Sequence, residues 1–264
     1  MTRGPTETEP DTHDIVEVDV GDDHVATVRL SRPPINFFSV DMIEALASAL
    51  ETLDRDPRCR TVVLAAAGKH FCAGADFSAP GDRSTAALYR AAVRLFRTGT
   101  PVVAAVQGAA IGGGLGLALA ADFRVAAPEA RFSANFARLG FHHGFGLSVT
   151  LPAVVGRQRA AELLYTGRRI DGATAAEIGL VDRLVPLADL ADAARGFAAE
   201  IAGSAPLAVR SIRSTLRGDL ADRVAAATDH EMAEQERLRR TPDFREGTRA
   251  MAERRAPNFT GTET

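Results

Sequence analysis

The sequence predicts an α/β fold followed by a wholly helical C-terminal region. Residues 15–185 alternate between strand-like and helix-like patterns. Within them, the apolar run 102–106 leads through the glycine triplet 112–114 into a segment of small residues that ends at Asp122. This is the pattern of a strand, a glycine turn and a tightly packed helix. From residue 189 onward only helical patterns occur, so the chain is expected to end in helices.

The first elements each carry a local signal. Residues 15–20 and 25–30 alternate apolar and polar side chains, and the turn sequence Gly21-Asp22-Asp23 joins them, which predicts a strand pair. A helix is expected after Ser39 or Asp41, either of which can cap it. The next predictions are a buried strand at 61–67, a loop at 78–83, a helix at 84–97 and a strand at 123–126.

The later elements follow the same signals. A long connection is predicted at 128–147, where functional residues are often found. Helices at 151–165 and 173–178 and a short strand at 181–185 follow. The helices predicted for the C-terminal region are 189–202, 206–217, 219–240 and 242–254, two of them with a proline in the first turn.

Composition excludes several classes of protein. The chain has 264 residues, of which 46% are hydrophobic and 25% charged, so it can form a substantial core. A net charge of −3 gives no indication of a nucleic-acid or membrane partner. The polar, acidic N-terminus resembles no targeting peptide, and residues 1–12 are expected to be a disordered tail. Two cysteines fit a reducing compartment, and we expect a cytoplasmic protein.

Two glycine-containing turns resemble the turns of a known protein family. The segment HFCAGAD at 70–76 and the segment VVAAVQGAAIGGG at 102–114 together resemble the enoyl-CoA hydratase/isomerase (crotonase) superfamily. Three further segments, 32–50, 166–186 and 255–261, look like other signatures of that family in the expected order. The resemblance covers most of residues 13–261. It implies a spiral of ββα units at 13–188 and a helical trimerisation region at 189–264.

The resemblance also implies a chemistry. Family members hold the carbonyl oxygen of an acyl-CoA thioester with two backbone N–H groups, and by position these belong to Ala73 and Gly113. Both would stabilise an enolate, and one such donor is typically worth roughly 3–4 kcal/mol in the transition state. The residues expected to contact substrate are Phe71, Ala73, Gly74, Ala75, Asp76, Phe77, Gly112, Gly113 and Phe136. No cofactor is implied beyond the coenzyme A of the substrate, and the expected assembly is a homotrimer or a hexamer.

The sequence departs from the family at its two acid/base positions. Family hydratases carry one glutamate two residues after the glycine triplet, where this chain has Gly116, and a second where it has Phe136. Neither residue can carry a proton, and general acid–base help is worth roughly 10²–10⁴ in rate. His142 and His143 are the nearest candidate substitutes, because some branches place a catalytic aspartate on the same loop, near Gly144 or Phe145. Both histidines could equally be surface or supporting residues of a glycine-rich turn.

Other motifs were weighed and set aside. The glycine triplet lacks the third glycine of a dinucleotide fingerprint and the lysine of a P-loop. No zinc-binding motif or hydrolase nucleophile elbow occurs in the sequence. Cys72 lies beside a proposed oxyanion donor, yet a small buried apolar role suits it better than that of a nucleophile. Arg254 and Arg255 occupy the region where relatives bind the CoA phosphates, and a surface role is equally compatible with them.

Three functional hypotheses follow. The first is an enzyme that acts on an acyl-CoA thioester through an enolate held by backbone N–H groups. The second, within the same superfamily, is a histidine-assisted hydrolase of a carbon–carbon or thioester bond, which requires that His142 or His143 face the thioester. The third is a protein that retains the acyl-CoA pocket and has lost catalysis.

Overall fold

The computed structural model describes residues 15–33, 35–74 and 85–262. Within these residues, strands and helices alternate as far as residue 189, and helices follow. The strands are β1 Val16–Val20, β2 Val25–Leu30, β3 Thr61–Ala66, β4 Val102–Val106, β5 Ala109–Ile111, β6 Phe123–Ala126, β7 Arg131–Ser133, β8 Ile170–Asp171 and β9 Arg183–Leu184. The helices are α1 Val40–Arg55, α2 Thr85–Arg97, α3 Gly113–Ala120, α4 Leu147–Thr166, α5 Gly172–Glu177, α6 Leu190–Ala202, α7 Pro206–Arg217, α8 Leu220–Leu238 and α9 Pro242–Ala252.

The main sheet has the strand order β1-β2-β3-β4-β6-β9. The β1–β2 pair is antiparallel, and the other neighbours are parallel. Every residue of the central strand β4 is buried. A strand that is covered on both faces needs apolar side chains throughout, and this explains the continuous run Val102–Val106.

Two hydrophobic layers cover the sheet. The larger core joins α1, α2 and α3 to one face and contains the fully buried Met42, Ile43 and Leu117. On the opposite face α6 packs its buried small residues against side chains such as Val63 and Val103. Although α6 begins after residue 189, it belongs to the packing of the sheet.

A second, smaller sheet brings the two glycine turns together. Its strands are β5, β7 and β8, in the order β5-β7-β8. Cys72 of the first turn forms a parallel bridge to Ala110 in β5. The Cys72 N–H donates to the Ala109 carbonyl at 2.9 Å, and the Ile111 N–H donates to the Cys72 carbonyl at 3.0 Å. The first turn is therefore fastened to the strand that leads into α3.

The C-terminal helices are tied to the sheet by a half-buried carboxylate. Asp122, at the end of α3, accepts from the Val102 N–H at 2.8 Å. Its carboxylate also pairs with Arg213 at 2.9 Å and with Arg217 at 3.0 Å, both on α7. Asp122 therefore joins the end of α3 to α7 across more than 90 residues.

Most predicted elements are confirmed, with corrections in the short ones. Ser39 is the N-cap of α1, because its side chain accepts from the Met42 N–H. The connection at 128–147 is not without structure, since it contains β7 and a 3₁₀ helix at Asn135–Leu139. The loop predicted at 78–83 and the tail predicted at 1–12 lie outside the described residues. Among the described residues, no helix combines the length and apolar character needed to span a bilayer.

Candidate active site

The N-terminus of α3 is built from three glycines, two of which have no place for a side chain. Gly112, its N-cap, has φ 57° and ψ −117°, a conformation open only to glycine. A Cβ on Gly114 would lie 2.1 Å from the Cys72 carbonyl oxygen, so the helix meets the first turn backbone to backbone. Gly113 opens the helix between them. No acceptor for its N–H is present within the described part of the chain.

The loop that precedes α1 holds the first turn through hydrogen bonds. Asn36 is fully buried, and its side-chain amide donates to the carbonyls of Ala67 and His70. The Ala73 N–H donates to the Ile35 carbonyl at 3.0 Å. Because that hydrogen bond occupies the N–H, the prediction of Ala73 as an oxyanion donor is wrong for the structure as it stands. Three of the predicted contact residues, Ala75, Asp76 and Phe77, lie outside the described residues.

A cavity of about 540 Å³ opens where the two turns meet. Of the predicted contact residues, Ala73, Gly74, Gly112, Gly113 and Phe136 line it. Phe71 does not line it and is fully buried. Apolar side chains form most of the wall: Phe37, Phe38, Leu88, Ile111, Phe136, Leu139, Phe141, Phe145 and Met251. The shape and lining suit a largely apolar ligand with one polar group at the Gly113 N–H.

Gly116 stands at the position of the first family glutamate, and Phe145 occupies the space beside it. Gly116 is buried inside α3, and a Cβ there would lie 2.6 Å from Cδ1 of Phe145. The Phe145 side chain is 1% exposed and packs edge-on against Phe38 at 4.9 Å between ring centroids. Phe145 also has φ 63°, which is strained for a residue with a side chain. The space beside Gly116 thus belongs to an aromatic ring.

The position of the second family glutamate lies in an aromatic wall. Phe136 belongs to the 3₁₀ helix and is 8% exposed. Its ring meets Phe141 at 5.4 Å, and Phe141 meets Phe244 of α9 at 5.3 Å. Among the described residues that line the cavity, none has a carboxylate side chain. Neither Gly116 nor Phe136 has a side chain that can transfer a proton.

The two candidate histidines do not line this cavity. Their rings stack at 4.1 Å, and the His143 Nε2 atom lies 2.8 Å from the Ser148 hydroxyl. Nearby, the buried Glu231 accepts from the Gly146 and Ser148 N–H groups at the start of α4. Burial lowers the pKa of His143 to about 4 and raises the pKa of Glu231. The histidine pair therefore packs against the start of α4 and not against the cavity. This geometry does not favour a direct role of either histidine at the thioester.

The predicted CoA-phosphate residues differ in their surroundings. The Arg255 guanidinium pairs with Glu246 at 2.5 Å and with Glu253 at 2.6 Å. Glu246 also accepts from the Asn258 N–H at 2.9 Å, so this cluster fastens the C-terminal segment to α9. Arg254 is exposed with φ 54°. The charge of Arg255 is already neutralised by two carboxylates, whereas the CoA role of Arg254 stays a prediction.

Polar groups at the cavity come mainly from helices that the sequence did not single out. Tyr89 of α2 and Gln235 of α8 are buried, and Arg239 is half-buried. The Arg239 guanidinium donates to the Gln235 side-chain oxygen at 3.1 Å and to the Thr85 hydroxyl at 2.8 Å. No motif spacing marks these residues, because α2 and α8 come together only through packing.

Cys72 behaves as the sequence suggested. It is fully buried, and burial raises the pKa of its thiol to about 12, so it carries no thiolate at neutral pH. Among the described residues, no group of three or more histidine, cysteine or acidic side chains is placed to hold a metal ion.

Comparisons with known proteins agree with this architecture. The enoyl-CoA hydratase/isomerase family model matches residues 21–262. A Mycobacterium tuberculosis protein named probable enoyl-CoA hydratase is 38% identical over 260 residues, covering 89% of each chain. The crystal structure of an enoyl-CoA hydratase/isomerase from Pseudoalteromonas atlantica aligns with a TM-score of 0.85 and 31% identity, covering 93% of this chain and all of that one.

An enoyl-CoA hydratase from Mycobacterium avium subsp. paratuberculosis aligns with a TM-score of 0.82 and 30% identity, covering 93% of this chain and 98% of that chain. The fold is that of the crotonase superfamily, a group of enzymes. The chain belongs to the enoyl-CoA hydratase/isomerase family.

Proposed function

We propose that this protein is an enzyme that acts on an acyl-CoA thioester and stabilises its enolate at the N-terminus of α3. The observation that carries the proposal is the Gly113 N–H, which lines the cavity and has no acceptor within the described residues. The first N–H groups of a helix lack intrahelical partners and lie at the positive end of the helix dipole. A carbonyl oxygen that gains charge is stabilised there, in a cavity whose wall is largely apolar.

The second N–H group that the resemblance implies is that of Ala73. Ala73 is excluded while its N–H is bonded to Ile35. Gly74 has φ 95°, and a Cβ on it would lie 3.2 Å from the Ile111 carbonyl, so the chain passes close to β5 at this point. The carbonyl-binding group on which the proposal rests is therefore the Gly113 N–H. The substrate supplies coenzyme A, and the proposal needs no other cofactor.

The wall of the site favours enolate chemistry without addition of water. Water addition needs a group that removes a proton from water and one that delivers a proton to carbon. Gly116 and Phe136 supply neither, and the rings of Phe136 and Phe145 make their surroundings apolar. Hydratase activity on a 2-enoyl-CoA is accordingly expected to be weak, although relatives carry that name.

The test isolates a single N–H group. Gly113→Ala and Gly113→Pro both add a Cβ, which would lie 3.2 Å from the Phe38 ring. Proline is tolerated at the first position of a helix, and it alone removes the N–H. We would incubate butanoyl-CoA with each protein in D₂O and follow deuterium uptake at the α-carbon by mass spectrometry. Affinity for butanoyl-CoA would be measured by calorimetry.

The expected result is that the alanine variant retains most exchange and the proline variant loses about 10²–10³-fold relative to it. Equal rates in the two variants would remove Gly113 from the mechanism. Tight binding of butanoyl-CoA by the wild type without any exchange would favour the non-catalytic acyl-CoA-binding hypothesis instead. A gain of water by crotonyl-CoA at an ordinary enzymatic rate would contradict the conclusion about the apolar wall.

Self-association is part of the same proposal. The side chains of Leu207, Ile212 and Leu216 on α7 are 82%, 59% and 81% exposed in the single chain. Apolar side chains this open are typical of a surface that another subunit covers. We propose a homotrimer, or a hexamer of two trimers, and sedimentation analysis of wild type and Leu216→Lys distinguishes these assemblies from a monomer.

A further inference from the structure

One cavity residue combines burial with an exchangeable proton. Tyr89 lies on α2, lines the cavity and is 7% exposed. The other cavity-lining side chains that titrate, among the described residues, are Arg239 and Arg249. An arginine in a protein stays protonated and does not exchange a proton with substrate. Tyr89 is thus the described cavity residue whose side chain can give up a proton.

The Tyr89 hydroxyl fills the space beside Gly144, where any other residue would place its Cβ. A Cβ on Gly144 would lie 1.7 Å from that oxygen and 2.6 Å from the Gln235 side-chain nitrogen. Any side chain at position 144 would displace the hydroxyl. The glycine in the loop and the tyrosine on α2 are complementary, and together they place a phenol oxygen against the loop.

Two hydrogen-bonding groups face the phenol oxygen. These are the Gln235 side-chain amide and the Phe145 backbone N–H, and both favour the phenolate form. The Gln235 amide is itself fixed, because it also donates to the His142 carbonyl at 3.0 Å and its oxygen accepts from Arg239.

The charges around the phenol act in opposite directions. Burial and the carboxylate of Glu231 raise the pKa of Tyr89, while Arg239 and the two hydrogen-bonding groups lower it, and the net result is a raised pKa. Tyr89 therefore carries its proton at neutral pH. A thioester enolate is a much stronger base than a phenolate, so transfer from the neutral phenol to the enolate carbon is downhill.

We propose that Tyr89 is a catalytic proton donor, whose hydroxyl protonates the α-carbon of an enolate held at Gly113. The O–H bond of Tyr89 breaks, a C–H bond forms at the α-carbon, and the enolate electrons form that bond while the thioester carbonyl is restored. The phenolate that results accepts hydrogen bonds from Gln235 and Phe145, and it regains a proton from solvent water. In reverse, the phenolate removes the α-proton of a bound thioester. This assignment rests on the proposed function.

The test uses the matched tyrosine that the chain provides. The sequence contains two tyrosines and no tryptophan, and Tyr165 is 81% exposed. Tyr89→Phe and Tyr165→Phe would be compared for α-deuterium uptake by butanoyl-CoA in D₂O, for butanoyl-CoA affinity and for melting temperature. Incorporation of 3-fluorotyrosine into the Tyr165→Phe protein would then lower the phenol pKa at position 89 alone.

We expect Tyr89→Phe to slow exchange at least about 100-fold with affinity changed less than about threefold, and Tyr165→Phe to match the wild type. We also expect the fluorinated protein to show a changed rate and pH profile, which a purely structural tyrosine would not produce. Exchange that persists in Tyr89→Phe, or a rate indifferent to fluorination, overturns the assignment of Tyr89 alone. Absence of exchange in the wild type overturns the proposed function instead.

Discussion

The contact between Gly116 and Phe145 yields a quantitative prediction. A Cβ at position 116 would lie 2.6, 2.8 and 2.9 Å from Cδ1, Cβ and Cγ of Phe145, whereas ordinary contact begins at 3.4 Å. Gly116→Ala must therefore move the ring by up to about 0.8 Å in a packed core, an overpacking that costs roughly 1–3 kcal/mol. Replacing a helical glycine by alanine also stabilises the helix by about 1 kcal/mol. We expect a net loss of about 0–2 kcal/mol in the free energy of unfolding.

The same substitution changes sign when the ring is absent. Phe145→Gly removes all three contacting atoms and relieves the φ of 63°, although it costs roughly 3–5 kcal/mol in lost packing. In that background Gly116→Ala meets no ring and retains its helix-propensity gain, so it should stabilise the protein by about 1 kcal/mol. The coupling energy between positions 116 and 145 is then about 1–3 kcal/mol.

A double-mutant cycle measures this coupling by urea unfolding at a fixed protein concentration. Gly196→Ala serves as the control, because a Cβ on Gly196 in α6 has no atom within 4 Å. Its effect should be the same, within about 0.5 kcal/mol, with or without Phe145. If Gly116→Ala proves equally additive, Phe145 does not occupy the place of the missing side chain and the explanation of Gly116 fails.

Three further predictions concern stability and reactivity. Gly196→Ala alone should raise the free energy of unfolding by about 0.5–1 kcal/mol in a chemical melt. Burial raises the pKa of Cys59 to about 11 and of Cys72 to about 12, so a thiol reagent at pH 8 should label neither in the native protein and both after unfolding. Burial lowers the pKa of His143 to about 4 in the folded protein, so folding favours the neutral ring. The stability that this gives is complete above pH 6.5, and as much as about 3 kcal/mol of the free energy of unfolding is lost toward pH 4. Unfolding curves of His143→Gln should lack this loss.

Much of the fold was readable from local patterns. Continuous apolar runs marked β3 and β4 because both are covered on two faces, and Ser39 marked the start of α1 through its capping hydrogen bond. The strands β7 and β8 were missed. They have three and two residues, too few for alternation to show, and they exist because β7 pairs with β5 and β8 pairs with β7.

The site was only partly readable, because its decisive contacts join distant segments. The triplet at 112–114 identified the helix end, and the structure supports Gly113 as a cavity residue. The loss of Ala73 as a donor depends on the Ile35 carbonyl, 38 positions earlier. Tyr89 and Gln235 are more than 140 positions apart in the sequence and meet at the cavity, and no spacing rule connects them.

The departures from the family pattern are linked, and this limits how the site could be altered. Gly116 faces the ring of Phe145, and Gly144 faces the hydroxyl of Tyr89, so at each contact a glycine is matched to an aromatic side chain. Phe145 also presents its backbone N–H to Tyr89, which joins the two contacts. A glutamate placed at position 116 would push the ring of Phe145, and with it the N–H that orients the phenol. Installing the carboxylate alone should therefore disturb the existing proton donor before it creates a new one, and conversion toward water addition requires changes on both sides of each contact.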